Sequence, residues 1–182
     1  MMNLALERIQ SADHRYMDDL VILYLESFPR EERRNINSLL SMLEEKRMFF
    51  SAILVDGQLA GLVVYWNFKG FHYIEHLVIL PDRRGEGIGS ATLIHLRKMG
   101  GPVILEVEIP HDDASAKRVV FYNRAGFIAL DIPYLQPPYR EGESPLPMML
   151  FSDNSVWERE KLDGFIALFQ SEVYYCRHNS FS

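Results

Sequence analysis

Apolar residues along this chain follow two different periods, and the switches between them mark its elements. Leu4 to Ile9 reads as a short first strand. Asp13 is placed to cap a helix whose apolar positions Met17, Leu20, Val21, Tyr24 and Phe28 keep the helical spacing, and Pro29 stops it. A charged patch from Arg30 to Arg34 leads into a second helix, about 37–46, with Leu39, Leu40 and Leu43 on one side. The pattern then changes to strands over 48–55 and 59–67. These flank Asp56-Gly57, a pair that accepts positive φ and so predicts a hairpin turn. A third strand, 71–80, is bounded by Gly70 and Pro81.

Helical spacing returns over 88–99 and ends at Gly100-Gly101. A strand over 103–109 follows, then a helix over 113–125 closed by Gly126, which suits a left-handed C-terminal cap. Residues 127–132 read as another strand. The stretch 133–147 is rich in Pro, Tyr and Gly and is expected to be a loop, with 148–151 returning as a last strand. The tail from Val156 to about Arg177 carries Leu162, Phe165, Ile166, Phe169 and Val173 at helical spacing, a stripe expected to dock on the core. This order predicts an α/β (α+β) fold, a mixed, mainly antiparallel central sheet flanked by helices, with a C-terminal helix. Residues 1–151 form the expected domain and 152–182 a helical extension docked on it.

Composition narrows the function classes. The 182 residues are 48% hydrophobic and 24% charged, ordinary for one globular domain. A net charge of -6 offers no overall basic field, which argues against nucleic acid as a partner. Cys176 is the single cysteine, so no internal disulfide framework or thiolate metal cluster exists; its expected role is a small side chain on the terminal helix. No His/Asp cluster has metal-ligand spacing. The first ten residues lack a secretory pattern and no run nears the ~20 apolar residues of a membrane span, so a soluble, cytoplasmic protein without a membrane partner is expected.

The densest chemistry lies at Arg84-Gly85-Glu86-Gly87-Ile88-Gly89-Ser90. A plain strand-to-helix turn needs fewer glycines than these three in five residues, and no arginines beside them. Gly85-x-Gly87-x-x-Ser90, with Glu106 about twenty residues on, nearly matches a dinucleotide fingerprint. That fingerprint belongs to an opening strand-to-helix turn, whereas here a helix pair and a hairpin come first. A Gly-Lys-Ser/Thr phosphate loop is excluded because no lysine follows Gly89. A pyrophosphate cradle fits better: glycines bring backbone N–H groups close to phosphate, and the helix from Ile88 adds its positive end.

The string Arg84-x-x-Gly87-x-Gly89, following Glu75-His76-Leu77-Val78-Ile79-Leu80-Pro81, resembles the acetyl-CoA signature of the GNAT superfamily of N-acyltransferases. A second block, Phe121-Tyr122-Asn123-Arg124-Ala125-Gly126-Phe127, resembles that superfamily's Tyr-x-x-x-Gly-Phe helix-to-strand ending. The resemblance covers roughly residues 1–151. It implies acetyl-CoA as co-substrate, with no metal. It implies that Leu77, Val78 and Ile79 offer backbone groups to the pantetheine arm, and that residues 85–90 hold the pyrophosphate beside Arg84. Many members carry Asn and Ala where this chain has Ser115 and Arg118; Ser115 is the expected cofactor contact, and Arg118 is expected to reach cofactor or substrate, or else solvent.

Tyr122 occupies the family's general-acid position, and a phenol with an ordinary pKa of about 10 is protonated at neutral pH. For the base, Glu75 is the first candidate. Strict alternation would put it with Tyr73, Leu77 and Ile79, opposite Ile74, His76 and Val78, and a carboxylate in an apolar strand is costly without a purpose or partner. His76 is the rival, with ordered water or a neutral substrate as further alternatives. A backbone N–H near Leu77 or Val78 would hold the oxyanion. The acceptor pocket is expected from Glu26, Phe28, Glu31, Glu32 and Arg33, from the loop 134–140, and from Glu106 and Glu108. The expected activity is acetyl transfer to a primary amine of a small-molecule or peptide acceptor in a ternary complex, with homodimer assembly allowed. The alternative is a non-catalytic acyl-CoA sensor or interaction module.

Overall fold

The computed structural model describes residues 2–153 and 157–175. The chain divides into two compact units, Met1–Gly101 and Pro102–Ser182. In the first, strands β1 (Leu4–Arg8), β2 (Met48–Val55), β3 (Gln58–Phe68) and β4 (Phe71–Ile79) lie side by side in chain order, each antiparallel to the next. Helix α1 (Met17–Ser27) lies against β3 and β4, and α3 (Ile88–Arg97) against β4 and β1. Leu20 and Tyr24 of α1, Trp66 of β3, Tyr73 of β4 and Leu93 and Leu96 of α3 are all fully buried. At the predicted hairpin, Asp56 and Gly57 both take positive φ, 51° and 79°, as the tight turn demands.

The first helix begins later than Asp13 suggests. Tyr16 precedes it without a side-chain cap, and Asp18 and Asp19 in the first turn complement the helix dipole instead. The second helix, α2, is only Ile36–Ser41, capped by the Asn35 side chain, which accepts from the Ser38 N–H at 2.8 Å. Residues 42–47 turn away from the helix, yet Met42 and Leu43 remain buried.

The alternation expected along β4 breaks at one residue. His76 stands opposite Val64 and Ile74 opposite Tyr65, which leaves Glu75 as the extra residue of a β-bulge. Consequently Glu75 and His76 are not on opposite faces: both side chains are buried, and His76 Nδ1 lies 3.9 Å from Glu75 Oε1. Further along, β3 approaches so closely that a Cβ on Gly61 would lie 2.3 Å from the Val78 carbonyl oxygen.

The second unit holds β5 (Val103–Glu108), α4 (Asp113–Arg124), β6 (Ile128–Ala129), β7 (Tyr134–Gln136), β8 (Leu146–Ser152) and α5 (Arg159–Phe169). Strand β8 pairs antiparallel with β5, β6 and β7. The strand expected over 127–132 shrinks to two residues. The expected loop 133–147 contains β7, because Tyr134, Leu135 and Gln136 pair with Met148, Pro147 and Leu146 despite the surrounding prolines. Helix α5 continues into a wider-wound turn, Gln170–Tyr175, and its Leu162, Phe169 and Val173 are buried while Phe165 and Ile166 are half-buried. Val156, Cys176 and Arg177 lie outside the described residues.

Candidate active site

After β4, Pro81–Arg83 form a single 3-10 turn, and the chain then runs through the glycine segment into α3. Gly85 and Gly87 take φ of 85° and 81°, a region a side chain disfavours, and nothing lies within 4 Å of a Cβ built on either. Gly87 precedes the helix without a side-chain cap, and the first helical bond is from the Ala91 N–H to its carbonyl. The N–H groups of Ile88, Gly89 and Ser90 are therefore the orphan donors of the first turn, beside open space. Such an end suits an anion. Arg84 Nε donates to the Ile79 carbonyl at 3.2 Å, while Arg83 is held by Glu86 at 2.9 Å. That pairing pulls the exposed Glu86 carboxyl below its ordinary range. Leu77 and Ile79 are half-buried and Val78 is buried on the strand leading in.

The bulge places Glu75 in a polar cluster within the first unit. Its side chain is 1% exposed; Oε1 accepts from Arg34 Nε at 3.0 Å and Oε2 from the Trp66 indole N–H at 2.7 Å. Arg34 is itself buried, and its backbone N–H donates to the Tyr24 hydroxyl at 2.9 Å. His76 Nε2 lies 3.0 Å from the Glu32 carbonyl, which can only accept, so that nitrogen carries the proton and Nδ1 the lone pair. Burial holds the imidazole below its ordinary pKa, although Glu75 and the Glu32 carbonyl oppose the shift. The His76 ring meets Tyr24 and Phe28 edge-on, at 5.0 and 4.4 Å between centroids. Of the acceptor-side candidates, Glu26 and Glu31 are exposed, Glu32 contributes its carbonyl, and Arg33 turns back to the Phe28 carbonyl.

In the second unit, the spacing Tyr-x-x-x-Gly-Phe has a direct physical meaning. Gly126, at φ 85°, follows the helix end; its N–H bonds the Asn123 carbonyl, and the Phe127 N–H bonds the Tyr122 carbonyl, each at 3.0 Å. This pair of bonds is a Schellman cap, and the ring contact between Tyr122 and Phe127, 6.2 Å between centroids, is its usual hydrophobic partner. The cap fixes the last turn of α4 and with it the Tyr122 ring, which also packs on Phe121 and Phe151. Burial pushes the Tyr122 phenol up to about 12, against a small opposing pull from Arg118. Arg118 pairs with Glu108 at 3.0 Å. Ser115 sits at the other end of the helix. Its buried hydroxyl receives the N–H groups of His111 and Asp112 and donates to Asp112 in a capping box, so its hydrogen-bonding capacity serves the helix start.

Glu106 gathers a second cluster. The Tyr134 hydroxyl donates to Oε1; the Tyr174 hydroxyl, at 2.8 Å, and the Gln136 amide, at 2.5 Å, donate to Oε2. Strand β7 brings Tyr134 and Gln136, and the turn after α5 brings Tyr174. Among the described residues no group of His, Cys, Asp and Glu is arranged to hold a metal ion, and no helix is long and apolar enough to cross a membrane.

The sequence model of the acetyltransferase (GNAT) family matches residues 9–127, well over half of the chain. This chain belongs to the GNAT acetyltransferase family. A solved structure from Bacteroides thetaiotaomicron, described as a GNAT-family acetyltransferase, is 32% identical and covers 93% of this chain and 98% of its own, with a TM-score of 0.85. A Bacillus subtilis (strain 168) protein named as the acetyltransferase YjbC is 30% identical over 104 residues, 56% of this chain. The match spans about half of that relative, 53% of its length. A Bacillus subtilis acetyltransferase solved in complex with CoA shares the fold at a TM-score of 0.56, with 16% identity over 84% of this chain and 97% of its own.

Within this GNAT chain, the two motif blocks each form a defined local structure, an uncapped helix start and a capped helix end. Sequence reasoning missed Arg34 and Trp66 as partners of Glu75, and Tyr174 and Gln136 as partners of Glu106. The signal for a partner was present, because a carboxylate in an apolar strand calls for one. Its identity was not: Arg34 lies 41 residues from Glu75, and Tyr174 68 residues from Glu106.

Proposed function

We propose that this chain transfers an acetyl group from acetyl-CoA to a primary amine by direct attack within a ternary complex. The observation that carries the reading is the α3 start, whose orphan N–H groups face open space at Gly85 and Gly87. In this reading Gly85, Glu86, Gly87, Ile88, Gly89 and Ser90 hold the pyrophosphate through backbone N–H groups, with Arg84 beside them. The backbone of Leu77, Val78 and Ile79 lines the pantetheine arm. Tyr122 gives its proton to the departing thiolate; burial keeps the phenol protonated across the neutral range. Glu75 acts as a positioning residue: with Arg34 and Trp66 on its two oxygens, it fixes the bulge and the backbone that follows it. The acceptor nitrogen attacks in its neutral form, and its proton passes to water. The catalytic domain is assigned to residues 1–151, with 152–182 as an extension.

The test is to incubate purified chain with acetyl-CoA and a panel of amines and to follow free thiol. Thiol release that depends on the amine is expected, and Tyr122→Phe should lower the turnover number about 100-fold or more while CoA still binds. Because the phenol stays protonated, the rate should keep rising with pH to about pH 10 as more amine becomes neutral. CoA binding without turnover on any amine, unchanged by Tyr122→Phe, would make the chain an acyl-CoA sensor instead. Failure to bind CoA at all would overturn the reading.

A further inference from the structure

We infer that Gly61, a β3 residue outside both motif blocks, is a positioning residue for acetyl-CoA. Its missing side chain lets β3 close onto β4 and so sets the backbone of Leu77, Val78 and Ile79. The inference rests on the acetyltransferase reading, which lays the pantetheine arm along that backbone.

Two irregularities bracket this stretch of the sheet. One is the bulge at Glu75, where β4 carries an extra residue against β3. The other lies on β3: Ile53 of β2 stands opposite Gly61 and Leu54 opposite Leu59, so Ala60 is the extra residue of a second bulge. The Leu80 N–H nevertheless reaches the Ala60 carbonyl at 2.9 Å, and Pro81, which has no N–H, ends the ladder. The register of residues 76–79 is thus fixed from both ends.

Within that frame Gly61 is buried and stands opposite Ile79, next to the Leu62–Val78 pair. It does not take the positive φ of Gly85 and Gly87, so close approach, and not backbone freedom, is what demands glycine here. The nearest atoms to a Cβ at this position are the Val78 carbonyl oxygen and then Ile79 Cα and Cδ1, the last two at 3.1 Å. The closest of these is backbone, which cannot swing aside as a side-chain tip can. For ordinary contact that oxygen would have to retreat by about 1 Å.

The same pairing decides which way β4 turns its polar groups. Alternate residues of an antiparallel strand aim N–H and C=O at the same neighbour. The Leu80 bond and the approach of the Val78 carbonyl to Gly61 put the even-numbered residues on the β3 side. Leu77 and Ile79 therefore turn theirs the other way, and Arg84 Nε reaches the Ile79 carbonyl at 3.2 Å. Displacing the Val78 carbonyl drags the rigid peptide planes on either side of it. A shift of about 1 Å carries hydrogen bonds made by Leu77 and Ile79 past their working length.

The experiment is a calorimetric titration with CoA of the full chain, of Gly61→Ala and of Ile9→Ala. Ile9 lies in the same unit, is 1% exposed and has its N–H bonded to Phe50 on β2; its truncation lowers stability by leaving a cavity. Under conditions where each variant is folded, Gly61→Ala should weaken CoA about tenfold or more, the scale of one or two lost hydrogen bonds. Ile9→Ala should stay within about twofold of the natural chain. Ile79→Val removes Cδ1 alone, and on the Gly61→Ala background it should not restore affinity, because the backbone contact remains. If Gly61→Ala does not fold, amide hydrogen exchange of the natural chain supplies the second measurement. Bound CoA should protect the Leu80 N–H more than the Ile9 N–H, because opening the β3–β4 contact would then release the cofactor. Unchanged CoA affinity in Gly61→Ala, an equal loss in Ile9→Ala, restoration by Ile79→Val, or equal protection of the two amides would overturn the inference. Failure of the natural chain to bind CoA would instead overturn the acetyltransferase reading itself.

Discussion

Glu75 and Glu106 both stand within strands, and their surroundings treat the carboxylate in opposite ways. Glu75, 1% exposed on the β4 bulge, faces a buried guanidinium at 3.0 Å and an indole N–H at 2.7 Å. Glu106, partly exposed and opposite Leu150 in the β5–β8 ladder, is gripped by two phenols and an amide. The first arrangement cancels charge with charge, and suits a group whose job is to hold backbone in place. The second surrounds the carboxylate with the dipoles of two hydroxyls and an amide, three neutral donors from two further segments. Two glutamates of equal chemistry are thereby held by different kinds of partner.

The strongest way to break that comparison is to remove a partner from the buried pair. Arg34→Leu leaves Glu75 ionised in the interior, and stability should fall by about 3–5 kcal/mol in denaturant unfolding. The Arg34→Leu/Glu75→Leu double variant should be less destabilised than Arg34→Leu alone, because no unpaired charge remains. Its residual cost of about 1–3 kcal/mol comes from the Trp66 indole N–H left without an acceptor. Additive losses would show that the two side chains are not coupled.

A smaller effect should come from acid. His76, beside Glu75, is held by burial below its ordinary pKa of 6.5. In the unfolded chain the imidazole takes up a proton as pH drops through about 6.5, while the folded chain resists it. The unfolded state then binds more protons, so stability should decline progressively from about pH 6.5 downward. In His76→Asn this part of the slope should vanish, as read from denaturation midpoints at a series of pH values; an unchanged slope would assign it to other groups.

How much of this was readable beforehand depends on the distance over which a feature is built. The glycine segment and the Tyr122 block are local: positive φ at Gly85, Gly87 and Gly126 and two helix ends follow from residue types a few positions apart. Both were legible, as were the hairpin at Asp56-Gly57 and most strand positions. The bulge at Glu75 was not, because it depends on how β3 registers against β4, and alternation alone gave the wrong face for His76. Strand β7 was missed for a similar reason: its pairing with β8 outweighs a composition that reads as loop. Ser115 reads in the sequence as a cofactor contact, and the capping box with Asp112 is visible only with the helix start fixed. The clusters around the two glutamates were the least legible, since each joins three or more separate segments.

The smallest prediction probes the weaker grip. Tyr174→Phe deletes one hydroxyl from the Glu106 cluster and keeps the ring that meets Tyr139. Glu106 retains Tyr134 and Gln136 as donors, so the carboxylate is not stranded as Glu75 would be without Arg34. The Gln136 amide loses one of its two acceptors. A net loss of about 1 kcal/mol is expected, the usual scale for one hydrogen bond, measurable as a shifted denaturation midpoint at constant slope. A loss near that of Arg34→Leu would mean that the phenols carry the carboxylate as rigidly as the guanidinium does, and the contrast between the two glutamates would fail. A loss within a few tenths of a kcal/mol would mean that water replaces the phenol at no cost, which places the cluster closer to solvent than its burial implies. Only the intermediate outcome fits a carboxylate whose grip is shared among several neutral donors, each contributing about one hydrogen bond.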